Sequence, residues 1–328
     1  MTLAALGERR IIEIIQKQLD IMPEMPIPFG DDVSAYDLGN GKMAILKTDF
    51  LVDKTDVPPG MSLWQAARKA VIMNISDFAA KGVRPLALLV SLALPRDMNG
   101  KDIEEIGKGL NSGAREYDTH VIGGDTGEAL NLIINPSVFG IAKKGRVALR
   151  SGAIPGDFVA VTGFFGNTSA GLKILTEEIK ASPALRRALV NSVLMPHARL
   201  AEGLILTQTG AVSAAIDSSD GLAWSLHEIS EASHVGFLID RLPIAHEAEG
   251  FAKTNGLDPL KLAMYGGEEY ELVLTIKPRL WRKAEQAIEN VGGKLMLIGK
   301  ATSMRKVLLA TNGKKQEIEA RGYEHFVG

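Results

Sequence analysis

Cysteine is missing from all 328 residues. That one absence excludes disulfides, thiolate zinc sites, iron–sulfur ligation and a cysteine nucleophile, and it is compatible with the cytosol. A surplus of one charge is missing too: 37 Lys and Arg stand against 39 Asp and Glu, a net of -2. There is no electrostatic reason to expect nucleic acid or an anionic membrane as a partner. Long apolar runs are also missing. The longest, Pro85 to Pro95, falls far short of the ~20 residues of a membrane helix and reads as a buried strand. Met1 to Leu19 has no apolar core ahead of a small-residue cleavage site, so it is not a signal peptide and a cytoplasmic location is expected. Neither a Gly-Lys-Ser/Thr P-loop ending nor a Rossmann glycine triplet occurs, which disfavours those two nucleotide folds.

What is present is the composition of an ordinary globular protein, 46% apolar and 23% charged. The length suits two domains, each able to bury its own core. Near Arg150 to Asp157 the texture changes to Gly and Pro punctuation, which places the junction between a domain over 1–150 and another over 151–328. The first begins with an amphipathic helix over 3–19, its stripe Ile11, Ile14, Ile15 and Leu19. A strand over 43–48 follows, then a helix from Ser62 to Lys81 with Ser62 as N-cap and Gly82 as stop. A second helix over 100–117 precedes a short strand at 120–122, and 130–143 is strand-like, Pro136 suggesting an edge or bulge. The second half alternates strands at 158–162, 211–216, 235–240, 270–276 and 294–299 with a helix entered through Ser169-Ala170-Gly171-Leu172 and helices at 184–194, 197–209, 221–233, 257–264 and 279–291. Asn312-Gly313 is a hairpin turn.

Against this background the acids stand out. Gly30-Asp31-Asp32, Thr48-Asp49, Gly123-Gly124-Asp125-Thr126 and Asp217-Ser218-Ser219-Asp220-Gly221 each place carboxylates beside glycine or where an apolar run stops. Asn74 and Asp77, three apart in a helix, project from one side. Hard cations want oxygen ligands and keep substrate phosphates in their shell, so acids converging from several strand ends would make a polyphosphate site. Each piece has a plainer reading. Gly-Asp-Asp is first of all a turn. Asp77, in an apolar stretch, is either a satisfied polar group or a ligand. Gly123-Gly124 either turns the chain or lets backbone approach an anion. Asp220 serves equally as a helix N-cap, although that leaves Asp217 unexplained. His120, alone on a strand, is a structural residue rather than a phosphoryl acceptor. Strand alternation sets Lys47 and Asp49 on one face and Thr48 on the other.

Taken in order, these segments together with Arg150-Ser151-Gly152, Gly266-Gly267-Glu268 and the closing Gly322-Tyr323-Glu324-His325-Phe326 span nearly the whole chain. The set resembles the thiamine-monophosphate kinase family, of the superfamily that includes aminoimidazole ribonucleotide and selenophosphate synthetases. The resemblance implies an α/β N-terminal mixed-sheet domain whose sheet joins a second subunit's in a barrel, as a homodimer, and an α+β C-terminal domain closing over the nucleotide. It implies Mg2+-assisted transfer of the γ-phosphoryl of ATP to thiamine monophosphate. Asp32, Thr48, Asp49, Asp77, Asp125, Asp217 and Asp220 would hold the metal ions, with Asp32, Asp77 and Asp217 the catalytic centre. Gly124, Asp125, Arg150 and Ser219 would meet ATP, and Glu268 and Tyr323 the thiamine end.

Two positions depart from the family. It often has a small polar residue where Lys47 stands, and an ammonium there is able to neutralise charge that elsewhere needs a metal. Where many members carry a substrate-side His this chain has Asp56, to which no contact is assigned. The alternatives are another ATP-using synthetase of the superfamily and a non-catalytic nucleotide- or metal-binding module. The cysteine or selenocysteine dependence of selenophosphate synthetase and the hydrogenase-maturation relative weighs against both.

Overall fold

The computed structural model describes residues 2–311 and 313–326. The chain starts with α1 (Leu3–Leu6) and α2 (Glu8–Gln16) rather than one helix to residue 19. Gly7 between them has φ 73°, outside the helical basin, and so breaks the helix. Ile14, Ile15 and Leu19 of the expected apolar stripe stay exposed, at 41%, 54% and 50%.

The first sheet is built from β1 (Ser34–Gly39), β2 (Lys42–Thr48), β3 (Leu51–Val52), β4 (Pro85–Leu94), β5 (Val121–Glu128) and β6 (Ile133–Lys143). Its order is β1-β2-β6-β4-β5, with β3 also on β6. Only β4 and β5 run parallel. A short α3 (Asp53–Asp56), α4 (Leu63–Lys81) and α5 (Gly100–Glu116) complete this half. The capping box of Ser62 with Gln65 starts α4, and Gly82 ends it in the left-handed conformation, φ 64°.

Three sequence expectations change here. The strand expected at 120–122 runs on through Gly123, Gly124 and Asp125 to Glu128, because β4 offers it an unbroken parallel partner. A Cβ on Gly124 would lie 1.9 Å from the Val90 carbonyl oxygen, so that glycine is required by the neighbouring strand itself. Pro136 sits on β6, between β2 and β4, and not on an edge strand. It is tolerated because β2 pairs β6 as far as Thr48–Ser137 and β3 resumes at Leu51–Ile134, which leaves the prolyl nitrogen opposite the gap. Strand β4, expected to be buried, is buried on one face only: Leu88 and Val90 are inside, while Leu86 and Leu89 are 47% and 52% exposed.

The second sheet uses β7 (Phe158–Val161), β8 (Val212–Asp217), β9 (Gly236–Ile239), β10 (Leu272–Ile276), β11 (Met296–Thr302), β12 (Val307–Thr311) and β13 (Lys314–Glu317). The order is β13-β12-β9-β11-β7-β10-β8, antiparallel except for β9 with β12. Around it lie α6 (Asn167–Thr176), α7 (Pro183–Leu194), α8 (Leu200–Gln208), α9 (Leu222–Ser233), α10 (His246–Asn255), α11 (Pro259–Tyr265) and α12 (Trp281–Glu289). Helix α10 has no counterpart in the sequence reading. Gly221 rather than Asp220 is the N-cap of α9, and no side chain caps it. Asn312 of the expected hairpin turn lies outside the described residues; Gly313 follows with φ 76° and Thr311 pairs with Lys314.

Helix α4 is the piece both halves share. One continuous core takes in Ile72, Ile75 and Phe78 of α4, Ile45, Val90 and Val138 of the first sheet, and Leu206, Ala215 and Leu272 beyond it. On α8, Gly203 lets the α4 backbone come so near that a Cβ there would lie 1.9 Å from the Ala79 carbonyl oxygen. Overpacking of this kind costs about 1–3 kcal/mol. Gly203→Ala is therefore expected to lower the unfolding free energy by at least about that amount. Denaturant titration checks it, and an unchanged midpoint would mean that α8 is free to move away.

Candidate active site

Three elements deliver the acids. Strand β2 leaves the sheet after Thr48, and Asn74 of α4 catches the departing backbone, its Oδ1 accepting from Asp49 N at 2.9 Å. Helix α4 carries Asp77, one turn on from Asn74. Strand β8 ends on Asp217. With Asp32 from the loop before β1, carboxylate oxygens of Asp32, Asp77 and Asp217 come within 4.8 Å of one another, all three side chains buried. These acids, nearly two hundred residues apart in sequence, occupy one place.

Their charges are unevenly compensated. Lys81, fully buried, reaches 2.7 Å to both Asp31 Oδ1 and Asp32 Oδ2 and also donates to the Ala215 carbonyl at 2.9 Å. Arg150 Nε donates to Asp32 Oδ1 at 2.6 Å, while its Nη1 donates to Glu228 Oε2 at 3.0 Å. Burial pushes the Asp32 carboxyl up, but Lys81 and then Arg150 overcome it and hold the group below its ordinary range. Among the described residues the Asp217 carboxylate accepts a side-chain hydrogen bond from Ser76 alone, at 2.6 Å, and burial with Asp32 nearby pushes it up to about 7 against the more distant Lys47 and Arg150. Asp77 is raised well above its usual value by burial and then by Asp217, Asp49 and Asp32, against the pull of Lys47. Lys47 Nζ stands 3.1 Å from Asp49 Oδ1 and 3.1 Å from Asp77 Oδ1.

Beside the acids opens a cavity of about 730 Å³. Arg150, Asp217, Ser219, Asp220 and Tyr323 line it, with Arg9 and Ile12 of α2 on its far side. Arg9 pairs with Glu228 and stacks on Trp224, 3.8 Å from the ring centre. The tail fastens α2 from the other end, with Glu8 N donating to Glu324 at 3.1 Å.

The turn at 266–269 lies against the 218–219 loop, where Glu268 N donates to the Ser219 carbonyl at 2.6 Å. Glu268 adopts φ 64°, and its carboxylate meets Lys69, a buried lysine of α4 that also donates to the Asp56 carbonyl at 2.8 Å. Burial, then Asp56, Glu268, Asp220 and Glu8, push the Tyr323 hydroxyl up to about 12, which sets that phenol among the same carboxylates.

Three expected site residues stand apart. Thr48 donates to Asn135 Oδ1 at 2.8 Å on the outer face of the first sheet. Through the register Asn135–Ser91–Asp125, Asp125 shares that face, and Gly124 lies beside it in β5. Within one chain none of the three joins Asp32, Asp77 and Asp217. Two buried cations were missed by sequence reading, Lys69 and Lys81. Their signal was available: lysines on the apolar flank of a helix already suspected of carrying a buried acid.

Residues 30–142 match the AIR synthase related protein N-terminal domain, and residues 154–309 its C-terminal domain. The thiamine-monophosphate kinase of Pyrococcus abyssi is 37% identical over 301 residues, 91% of each chain. The chain belongs to the AIR synthase related family, and within it to the thiamine-monophosphate kinases. The Nitrosopumilus maritimus thiamine-monophosphate kinase is 32% identical, covering 99% of this chain and 100% of its own. Among solved structures, AaThiL complexed with AMPPCP and TMP has a TM-score of 0.86 at 28% identity, over 99% of each chain.

Beside Glu268, Glu269 accepts from Gly166 N at 2.6 Å and Thr168 N at 3.2 Å at the start of α6. Burial outweighs these donors and pushes its carboxyl from 4.5 up to about 7. Because the folded state holds that proton more tightly than the unfolded chain, the Glu269 contribution to stability is greatest below about 4.5 and declines as pH rises towards 7. Subtracting the unfolding free energies of Glu269→Gln from those of wild type across this range should give a falling curve. A flat difference would remove Glu269 from the pH response.

Proposed function

We propose that the chain is an ATP-dependent thiamine-monophosphate kinase, moving the γ-phosphoryl of ATP onto the phosphate of thiamine monophosphate and leaving ADP and thiamine diphosphate. The observation that carries this reading is the meeting of Asp32, Asp77 and Asp217 within 4.8 Å beside a cavity of about 730 Å³. The relatives' shared name supports it, as does the AaThiL complex, whose AMPPCP is an ATP analogue and whose TMP we take as thiamine monophosphate.

The chemistry asks little of the protein beyond placement and charge. The acceptor phosphate is itself an oxyanion, so neither a strong general base nor a covalent phosphoenzyme is required. What opposes reaction is the approach of two anions. Mg2+ suits the donor set: the ligands are all oxygen, buried, and short of positive charge at Asp77 and Asp217. Asp32, Asp77 and Asp217 would hold it, with Asp49 at the rim and Asp220 on the cavity side; when bound it neutralises the transferring phosphoryl group. Arg150, held by Asp32, Gly30 and Glu228, lines the cavity as the guanidinium that would meet a nucleotide phosphate. The Ser219 segment lies on the same wall. At the other end, Glu268 supplies the anion and Tyr323 a ring face for a cationic thiazolium.

A homodimer belongs to the same reading. The outer face of the first sheet leaves Tyr36, Leu46, Leu89 and Ile141 uncovered, at 56%, 46%, 52% and 44% exposure. Apolar residues that flank one another across β1, β2 and β6 in this way call for a covering layer. A second copy, closing the two sheets into a barrel, supplies it. Thr48, Gly124 and Asp125 then face a neighbouring subunit, where they are able to serve a site as the family's motifs imply. The absence of cysteine suits a cytoplasmic enzyme.

Incubation with ATP, Mg2+ and thiamine monophosphate should yield ADP and thiamine diphosphate in equal amounts. ADP without thiamine diphosphate would sink the assignment. Asp217→Asn is expected to cut kcat by a hundredfold or more, on the order of the loss of one transition-state contact, with the unfolding transition retained. Glu268→Ala should act on KM for thiamine monophosphate; a larger change in KM for ATP would place the thiamine end elsewhere.

A further inference from the structure

Lys47 is a cation set between two of the acids, with the wrong sign for a metal ligand. It is the last residue but one of β2, its side chain 20% exposed, and its Nζ lies 3.1 Å from Asp49 Oδ1 and 3.1 Å from Asp77 Oδ1. An ammonium is a compact point charge with three donors. Here it spans two carboxylates from different elements, as a divalent cation does when it bridges them. No other side-chain cation among the described residues does this work at that end of the cluster. Lys81 and Arg150 are both committed to Asp32, and Ser76 serves Asp217. The groups that face Lys47 are Asp49, Asp77, Asp32 and Asp217, from a loop, two strand ends and a helix.

We propose that Lys47 permanently fills one cation position of this centre, so that the chain works with one divalent ion fewer than the same acids would bind around a small residue at 47. The assignment rests on the reading of Asp32, Asp77 and Asp217 as a divalent-ion site. Its logic is exclusion and replacement. A metal ion and an ammonium cannot both bridge the same oxygens of Asp49 and Asp77. With the ammonium in place the two carboxylates are held together without metal. With it removed they repel each other until a divalent ion takes the position.

The test compares full-length wild type with Lys47→Ser, using Mn2+ as the probe, counted by equilibrium binding with and without AMPPCP. Lys47→Ser should bind about one additional Mn2+ per chain. Its Tm should fall in chelator and recover with Mg2+ by a larger shift than wild type shows. Equal stoichiometry together with equal Mg2+ shifts overturns the proposal while leaving the metal site standing, because both proteins still bind ions. Failure of both proteins to bind Mn2+ overturns the metal site and the proposal together. Should Lys47→Ser not fold without metal, Lys47→Gln keeps the chain length without the charge, and a Mg2+ shift no larger than that of wild type overturns the proposal equally.

Discussion

Burying negative charge is the constraint on which the rest of this structure depends. Within the centre, Asp31, Asp32, Asp49, Asp77 and Asp217 are drawn together, and Lys47, Lys81 and Arg150 answer them. An uncompensated buried carboxylate is costly enough to take up a proton or demand a partner. Five acids against three cations leave a deficit, and its location is visible. Asp32, with two partners, is held in its charged form, while Asp77 and Asp217 are pushed the other way. Of these two, Asp217 lines the cavity, where a polyphosphate with its counter-ions would arrive.

The same helix that carries Asp77 also joins the two halves of the molecule. Lys81 at its C-terminal end grips the Asp31-Asp32 loop and the β8 carbonyl of Ala215. Lys69, three turns earlier, meets Glu268 of the turn that leads into β10. Between them Ala79 packs backbone to backbone against Gly203. Contacts from α4 to the second half thus include two buried lysines and one glycine. Each fixes the distance between residues of the proposed site. A truncation of Lys69 acts on Glu268 through orientation, because the carboxylate loses the partner that aims it.

Much of this was legible in the sequence, and the part that was not has physical reasons. Caps and stops of α4 were readable because Ser62-x-x-Gln65 and Gly82 act through local backbone bonds. Asp32, Asp77 and Asp217 were readable as a set because each sits where a regular element ends or in an apolar surround that leaves a carboxylate few other uses. Gly123-Gly124 does not turn the chain but continues β5, and the close approach Gly124 permits is to β4, a partner assigned by tertiary structure alone. Asp220 misled for a similar reason: cap chemistry favours it, but the chain turns one residue later, where only Gly221 accepts φ 110°. Lys69 and Lys81 escaped notice because propensity treats lysine as surface, and only the acids they meet, many residues away, make their burial affordable.

Strand parity then decides which residues one chain is able to gather. Lys47 and Asp49 fall on the inner face, Thr48 on the outer, and the gap opposite Pro136 frees Asp49 to turn towards α4 without carrying Thr48 with it. A motif that reads as one unit, Lys47-Thr48-Asp49, is therefore split between the two sides of a sheet. The inner pair joins its own chain's acids. The outer residue lines up with Asn135, Ser91 and Asp125 on a face whose apolar neighbours stay exposed among the described residues. The pleat of β2 thereby divides the motif: Lys47 and Asp49 stand with the buried acids, and Thr48 and Asp125 stand on the opposite face, the one a second copy would cover in the proposed dimer.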